Sequence, residues 1–360
     1  MTEPLQVPGA RVAAPRRPRA ARTTRLLALV ATAFAAACGG DGSGEIIRVR
    51  VPRGASFSAV ADSLANKEIV RAPGLFRVYA RLTGADRNIK PGTYGFRKGT
   101  GWKRVLDDLH AGRVLHARLV IPEGWDLRKI APRIAALTGL PTDSVFRVLA
   151  DTASATRYGV PGPTLEGYLY PATYIFPVDG PLEPVVVRLT DEYKRRWTPA
   201  RRARADSLKM SEREVVTLAS IVEKEARVRD EMPLIAAVYH NRLRIGYPLQ
   251  ADPTVQYALG EHRTRLLYAH IDSVADHPYN TYRRRGLPPG PIASPSEMAI
   301  DATLYPADVK YLYFVARPDG RHIFTHSLAE HNRAKAEVRR ATRRAGVPSG
   351  TSGASQPAQE

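Results

Sequence analysis

Two stretches of the sequence, VRVPRGASFSAVADSLANKEIV at 49–70 and LVIPEGWDLRKIAPRIAALTGL at 119–140, resemble each other at a spacing of 70 residues. Each predicts a short strand, a turn between a proline and a glycine, and an amphipathic helix, because alternating apolar residues give way to apolar residues three and four apart. A repeated strand–helix unit indicates small binding modules within an α+β fold. Chance similarity of two ordinary strand–helix units is the alternative.

The composition narrows the class of protein. The 360 residues allow about two domains, and a hydrophobic fraction of 44% excludes wholesale disorder. The 54 Lys and Arg exceed the 35 Asp and Glu by 19, which suits an anionic partner such as nucleic acid, anionic lipid or an acidic wall polymer. The single cysteine excludes an intramolecular disulfide and a multi-cysteine zinc site.

Residues 1–44 predict an export signal followed by a tether. Six arginines and one acid precede LLALVATAFAAA at 26–37, and Cys38 and a Gly/Ser-rich stretch follow. Twelve helical residues cover about 18 Å, short of a bilayer core of ~30 Å, so a transmembrane span is disfavoured. Because FAAAC at 34–38 is similar to the lipobox of bacterial lipoproteins, we expect Cys38 to carry lipid. A secretory leader with an incidental cysteine, or a short anchor, is the alternative, and export argues against a nucleic-acid partner.

Two features are predicted near the C-terminus. The segments 311–316 and 321–325 predict a hairpin across Pro318-Asp319-Gly320. Residues 346–360 lack apolar periodicity and predict a disordered tail.

The stretch SEREVVTLASIVEKEAR at 211–227 predicts a helix that begins with a capping box formed by Ser211 and Glu214. Helical spacing places Glu223 at one edge of the apolar stripe and Glu225 beyond the other edge, so the two carboxylates diverge. Partial desolvation of a carboxyl group at an apolar boundary suits it to act as a general acid. A solvated or ion-paired glutamate is the alternative, and the helix alone does not decide between them.

Amide and aromatic side chains downstream of this helix are suited to sugar recognition, because they hydrogen-bond to hydroxyl groups and stack on sugar rings. They include Asn241, Gln250, Tyr257, Tyr279 and Asn280. The stretch GLPPGPI at 286–292 predicts a stiff extended wall.

Five motifs together resemble the endolytic murein transglycosylase family, also called MltG or YceG-like, over residues 49–335. They are LEGYLYPATY (165–174), ASIVEKEA (219–226), NRLRIGYPLQADPTVQY (241–257), YNTYRRRGLPPGPI (279–292) and YLYFVARPDGRHIF (311–324). The resemblance implies a membrane-anchored enzyme with its catalytic domain on the extracytoplasmic, periplasmic side, where it cuts nascent peptidoglycan strands and limits their elongation. It also implies LysM-like modules over 45–140, a catalytic domain over 141–345, and a peptidoglycan synthase as a possible partner.

The resemblance assigns Glu223 as the catalytic acid. In the implied mechanism this group protonates the oxygen that links MurNAc to GlcNAc. It then accepts the proton of the C6 hydroxyl, which attacks C1 and gives a 1,6-anhydroMurNAc end without a metal or a redox cofactor. The residues implied to orient the strand are Gln250, Asp252, Thr254, Tyr257, Tyr279 and Asn280. Glu166 is a further candidate for shaping the site, with a structural ion pair as the alternative.

The sequence departs from the usual family pattern at Ala172, Ala251 and Ser296, which puts substrate fit in question rather than the chemistry. A metal hydrolase is disfavoured because no HExxH motif is present. The stronger rival is a non-catalytic lipoprotein that binds peptidoglycan through its repeat modules and basic surface.

Overall fold

The computed structural model describes residues 40–344 except 262, 264 and 265. The predicted export signal, Cys38 and the predicted tail at 346–360 lie outside the described residues. The structure is 50% helical and 12% strand, and the strands within the described part form three two-stranded antiparallel sheets. This composition agrees with the predicted α+β class.

The chain divides into two compact units, and the first ends at Leu115. Its elements, in order, are β1 (Ser43–Val51), α1 (Phe57–Asn66), α2 (Pro73–Leu82), β2 (Gly92–Lys98) and α3 (Trp102–Ala111). Strands β1 and β2 pair antiparallel. The helices cover this pair with a core that includes Leu64, Phe76 and Trp102.

The second unit begins at His116 with another strand–helix–strand arrangement. Its elements are β3 (His116–Ile121), α4 (Leu127–Thr138), α5 (Thr142–Ala150), α6 (Thr152–Tyr158) and β4 (Ala172–Pro177). Strands β3 and β4 pair antiparallel. Both predicted strand–turn–helix segments are therefore present, and in each the strand pairs with one that follows the helices.

The division at Leu115 falls inside the segment at 45–140 that the resemblance predicts as LysM-like modules. Strand β3 and helix α4 belong to the second unit because their apolar side chains share its core. Leu119 and Ile130 pack in the same buried cluster as Val222 of the predicted catalytic helix.

The rest of the second unit is mostly helical. It contains α7 (Leu182–Arg196), α8 (Pro199–Ser207), α9 (Glu212–Glu225), a short 3-10 turn (Arg229–Glu231), α10 (Met232–Arg244), α11 (Asp252–Leu259), α12 (Tyr268–Ser273), α13 (Glu297–Leu304), β5 (Tyr313–Ala316), β6 (His322–Thr325) and α14 (Leu328–Arg344). The predicted hairpin is confirmed by the antiparallel pairing of β5 with β6. No helix in the described ranges is long and apolar enough to cross a membrane.

Helix α9 begins with the predicted capping box. Ser211 Oγ accepts the Glu214 N–H at 3.3 Å, and Glu214 Oε2 accepts the Ser211 N–H at 2.8 Å. Every residue from 215 to 222 is buried, so the helix is enclosed on all sides rather than along one stripe. The two hydroxyl groups in this span tolerate burial because Thr217 and Ser220 each donate to a backbone carbonyl one turn earlier, at 2.7 Å.

Candidate active site

Glu223 lies in the last turn of α9, half-buried, at the point where the enclosed part of the helix ends. Its Oε2 accepts the backbone N–H of Ser296 at 3.0 Å. Ser296 is the N-cap of α13, and its own hydroxyl accepts the Ala299 N–H at 3.1 Å. The start of a helix carries partial positive charge, so this contact holds and orients the carboxylate.

The turn between β3 and α4 lies against the same carboxyl group. A Cβ atom on Gly124 would lie 3.6 Å from Glu223 Cγ and 4.0 Å from its Oε1. Gly124 has a φ of +69°, in the region that favours glycine, and its N–H donates to the Ser294 carbonyl at 2.8 Å. Lys224 Nζ donates to the Gly124 carbonyl at 3.2 Å. Glu223 is therefore bordered by the proline–glycine turn of the second repeated segment, at 122–124, and by the 294–296 loop.

Glu225 faces different surroundings, as the helical spacing predicts. The Tyr239 hydroxyl donates to Glu225 Oε1 at 2.9 Å, and burial, with the nearby charge of Asp252, raises the pKa of Glu225 to about 8. Asp252 in turn accepts the Tyr282 hydroxyl, and burial raises its pKa as well. Glu225 and Asp252 thus belong to a half-buried polar cluster separate from the contacts of Glu223.

Glu166, Tyr257 and Tyr279 are brought together. Glu166 is 3% exposed and accepts the Leu127 N–H at 3.1 Å and the Tyr257 hydroxyl at 3.2 Å, both on Oε2. Burial raises the pKa of Glu166 to about 8. The rings of Tyr257 and Tyr279 lie 4.9 Å apart, and the Arg128 guanidinium is 5.3 Å from the Tyr257 ring centroid. The hydrogen-bond donors to Glu166 are neutral, so these contacts position Tyr257 rather than form an ion pair.

The predicted wall at 286–292 lies next to these tyrosines and is fixed to α9. A Cβ on Gly290 would come within 2.8 Å of Pro163 and 3.2 Å of the Tyr279 hydroxyl, so only glycine fits there without a shift. The Ile292 N–H donates to Ser220 Oγ at 3.0 Å, three residues before Glu223.

Three of the predicted substrate-binding residues have side chains that form hydrogen bonds within the protein. The Asn241 amide donates to two backbone carbonyls at 2.8 and 2.9 Å, and the fully buried Asn280 amide donates to two others at 2.9 and 3.0 Å. Thr254 is also fully buried, and its hydroxyl bonds to a carbonyl and to the Thr281 hydroxyl. These bonds hold the site segments in place, and direct contact of these side chains with substrate stays a prediction.

Gln250 is 6% exposed and has a φ of +48°, a left-handed conformation uncommon for a residue other than glycine. Strain of this kind often accompanies functional sites.

Gly124 and Ser296 border the site although they are not among the predicted site residues. The proline–glycine turn at 122–124 and the serine just before an acidic helix start at Glu297 are the local signals that mark them. Within the described part of the chain, no group of three or more His, Cys, Asp or Glu side chains is arranged to hold a metal ion.

The fold and the site define a two-unit α+β protein whose second unit carries a helix-borne carboxylate centre. Residues 49–337 match the model of the YceG-like family, which covers most of the sequence. The chain belongs to this family, as its motifs predict.

Curated relatives and a solved structure agree with this assignment. The chain is 33% identical over 308 residues to the endolytic murein transglycosylase of Bacillus subtilis (strain 168), covering 80% of this chain and 84% of that protein. It is 28% identical over 325 residues to the endolytic murein transglycosylase of Streptococcus pneumoniae serotype 2 (strain D39 / NCTC 7466), covering 82% of this chain but only 59% of that protein. A crystal structure of a yceG-like protein from Listeria monocytogenes matches with a TM-score of 0.55 and 35% identity, covering 81% of this chain and all of that one.

Proposed function

We propose that this protein is an endolytic lytic transglycosylase that cleaves the MurNAc–GlcNAc bond of nascent peptidoglycan and leaves a 1,6-anhydroMurNAc end. The names of the relatives support peptidoglycan as the substrate, and one contact supports Glu223 as the catalytic group. Glu223 is half-buried at a helix end, where the Ser296 N–H fixes one carboxyl oxygen and a glycine turn borders the other.

The proposed reaction needs one carboxyl group in two protonation states. As the bond between C1 and the bridging oxygen breaks, protonated Glu223 gives its proton to that oxygen, which leaves with GlcNAc. The C6 hydroxyl oxygen of MurNAc then bonds to C1 and loses its proton to the Glu223 carboxylate, which restores the acid. The internal hydroxyl takes the place of water because it is already close to the reacting carbon.

Tyr257 and Tyr279 would orient the strand. Two half-buried rings at 4.9 Å form a surface on which sugars stack, and the buried Glu166 fixes the Tyr257 hydroxyl. In this arrangement Glu166 is a positioning residue.

We further propose how the enzyme binds glycan and where it is anchored in the cell. The first unit, with two helices between antiparallel strands, would act as a LysM-like glycan-binding module. A lipid on Cys38 or a short apolar anchor would hold the catalytic unit at the outer face of the cell membrane, beside a peptidoglycan synthase, where cutting limits strand length. Metabolic lipid labelling that disappears in Cys38→Ala would support the lipid anchor, and labelling that persists would exclude it.

The alternative is a non-catalytic peptidoglycan-binding lipoprotein, which the net positive charge favours. Incubation of purified sacculi with the protein separates the two functions. We expect soluble muropeptides with anhydro ends. Retention on sacculi with no new ends would instead identify a binding protein.

A further inference from the structure

A cavity of about 720 Å³ lies beside the first half of α9, away from Glu223. It is bounded by the α8–α9 connection, the last turns of α10 and Pro288-Pro289 of the wall. Thr217 lines it and lies six residues before Glu223, about 9 Å along the helix axis. The cavity is thus a separate concave surface in the same unit as the proposed active site.

The charge of the cavity is positive. Lys209, Arg213 and Arg244 line it, and in the described part of the chain none of the three forms an ion pair. The acid in the lining is Glu214, and its carboxylate is bound to Ser211, whose hydrogen bonds lower the pKa of that group. Arg244 donates to Asn241 Oδ1 at 2.9 Å. The three cations outnumber the one acid, so the cavity has an excess of positive charge that can bind carboxylates of a ligand.

Apart from Ser207, Thr217 and His240, the remaining lining is apolar. It includes Leu208, Met210, Leu243 and Leu287. A ligand that fits both properties carries carboxylates spaced by short aliphatic groups. A neutral sugar does not match the cations, and a wholly apolar ligand leaves them unpaired.

The backbone of Lys209 has an unusual conformation. It follows the end of α8 with a φ of +57°, a position where helices usually place glycine. A lysine here accepts backbone strain while it places an ammonium group at the cavity.

We propose that this cavity binds the carboxylate-bearing peptide branch of murein. Murein is a glycan that carries short acidic peptides of small aliphatic residues, and such a peptide has both the charge and the apolar character that the lining requires. This inference rests on the proposed function for its choice of ligand, and it adds recognition of the peptide to recognition of the sugars.

The test is direct binding of a synthetic N-acetyl-L-Ala–γ-D-Glu–L-Lys peptide, which carries two carboxylates and one ammonium group, to the full chain, measured by calorimetry at low salt. We expect Lys209→Gly to weaken binding about fivefold, which is the effect of losing one partly exposed charge contact. The melting temperature of this variant should stay equal or rise, because glycine adopts the left-handed backbone conformation without strain. Arg213→Ala should weaken binding similarly. Arg188→Ala, an exposed cation on α7 outside the cavity, should leave binding unchanged.

The amidated form of the same peptide, which lacks the free carboxylates, should bind at least fivefold more weakly. Equal binding of the two peptides, or equal affinity in wild type and both cavity variants, overturns the proposal. The sacculus assay is independent of this result. If it shows no cleavage while the peptide binds as expected, the proposed activity fails and the peptide site stands.

Discussion

The carboxylate of Glu223 is held by the backbone N–H of Ser296, 73 positions later in the chain, at 3.0 Å. The family resemblance predicts glycine at position 296, where this chain has serine. The substitution leaves the contact intact because the donor is a backbone group, and the serine hydroxyl additionally caps α13. Serine at this position is therefore compatible with the proposed chemistry.

Glu223→Gln should lower the rate of release of anhydro-ended muropeptides at least ~10²-fold, because an amide cannot transfer the proton. The Gln oxygen still accepts the Ser296 N–H, so the melting temperature and sacculus retention should stay near wild type. Glu183→Gln, an exposed acid on α7, is the matched control and should keep full activity. A Glu223→Gln protein with wild-type product formation would show that the proton donor is another group.

Comparison of Ser296→Ala with Ser296→Pro isolates the N–H that holds the carboxylate. Both lose the hydroxyl cap, which costs about 1 kcal/mol of stability. The φ of −69° at this position suits proline, and only proline also removes the N–H. We expect Ser296→Ala to keep its activity and Ser296→Pro to lose at least about tenfold in kcat, since a hydrogen bond to a charged group contributes about 1.5–3 kcal/mol.

Equal kcat values for these two variants, each measured well below its melting temperature, would mean that the contact does not orient the acid.

Stability should fall as pH rises through the neutral range. Glu166 has a folded-state pKa of about 8, above its ordinary value of 4.5, so the native state binds more protons than the unfolded state between these values. The stabilisation by the neutral group is complete below about pH 4.5 and is lost as pH approaches 8. In Glu166→Gln, urea unfolding between pH 5 and 8 should show a slope reduced by up to about 1.4 kcal/mol per pH unit.

Some slope should remain in this variant because burial raises the pKa of Glu225 in the same direction. An unchanged slope would indicate that Glu166 is ionised in the native protein at neutral pH.

Asn280→Ala should lower the stability of the protein more than it weakens substrate binding. The fully buried amide satisfies the carbonyls of Ile271 and Val274, and its removal leaves both without these donors, at a cost of about 3 kcal/mol in urea unfolding. Ser273→Ala, which removes an exposed hydroxyl from the same segment, should change stability by less than about 0.5 kcal/mol. Wild-type stability with a raised KM in Asn280→Ala would instead support the predicted contact between this amide and the sugar.

The sequence by itself determined the local elements and the family. Residue spacing was sufficient for the capping box of Ser211, the strand–turn–helix segments and the hairpin around Gly320, because each depends on interactions between residues close in the chain. It also determined that Glu223 and Glu225 diverge, since the helical repeat alone fixes that angle.

Only the tertiary structure decided what surrounds those carboxylates. The Ser296 N–H reaches Glu223 from 73 residues away, and Leu127 and Tyr257 reach Glu166 from 39 and 91 residues away. The unit boundary at Leu115 likewise depends on which core β3 joins. Periodicity reports which face of an element is apolar. The partner that covers this face, and therefore the burial that sets a group's pKa and contacts, is chosen by packing between distant segments.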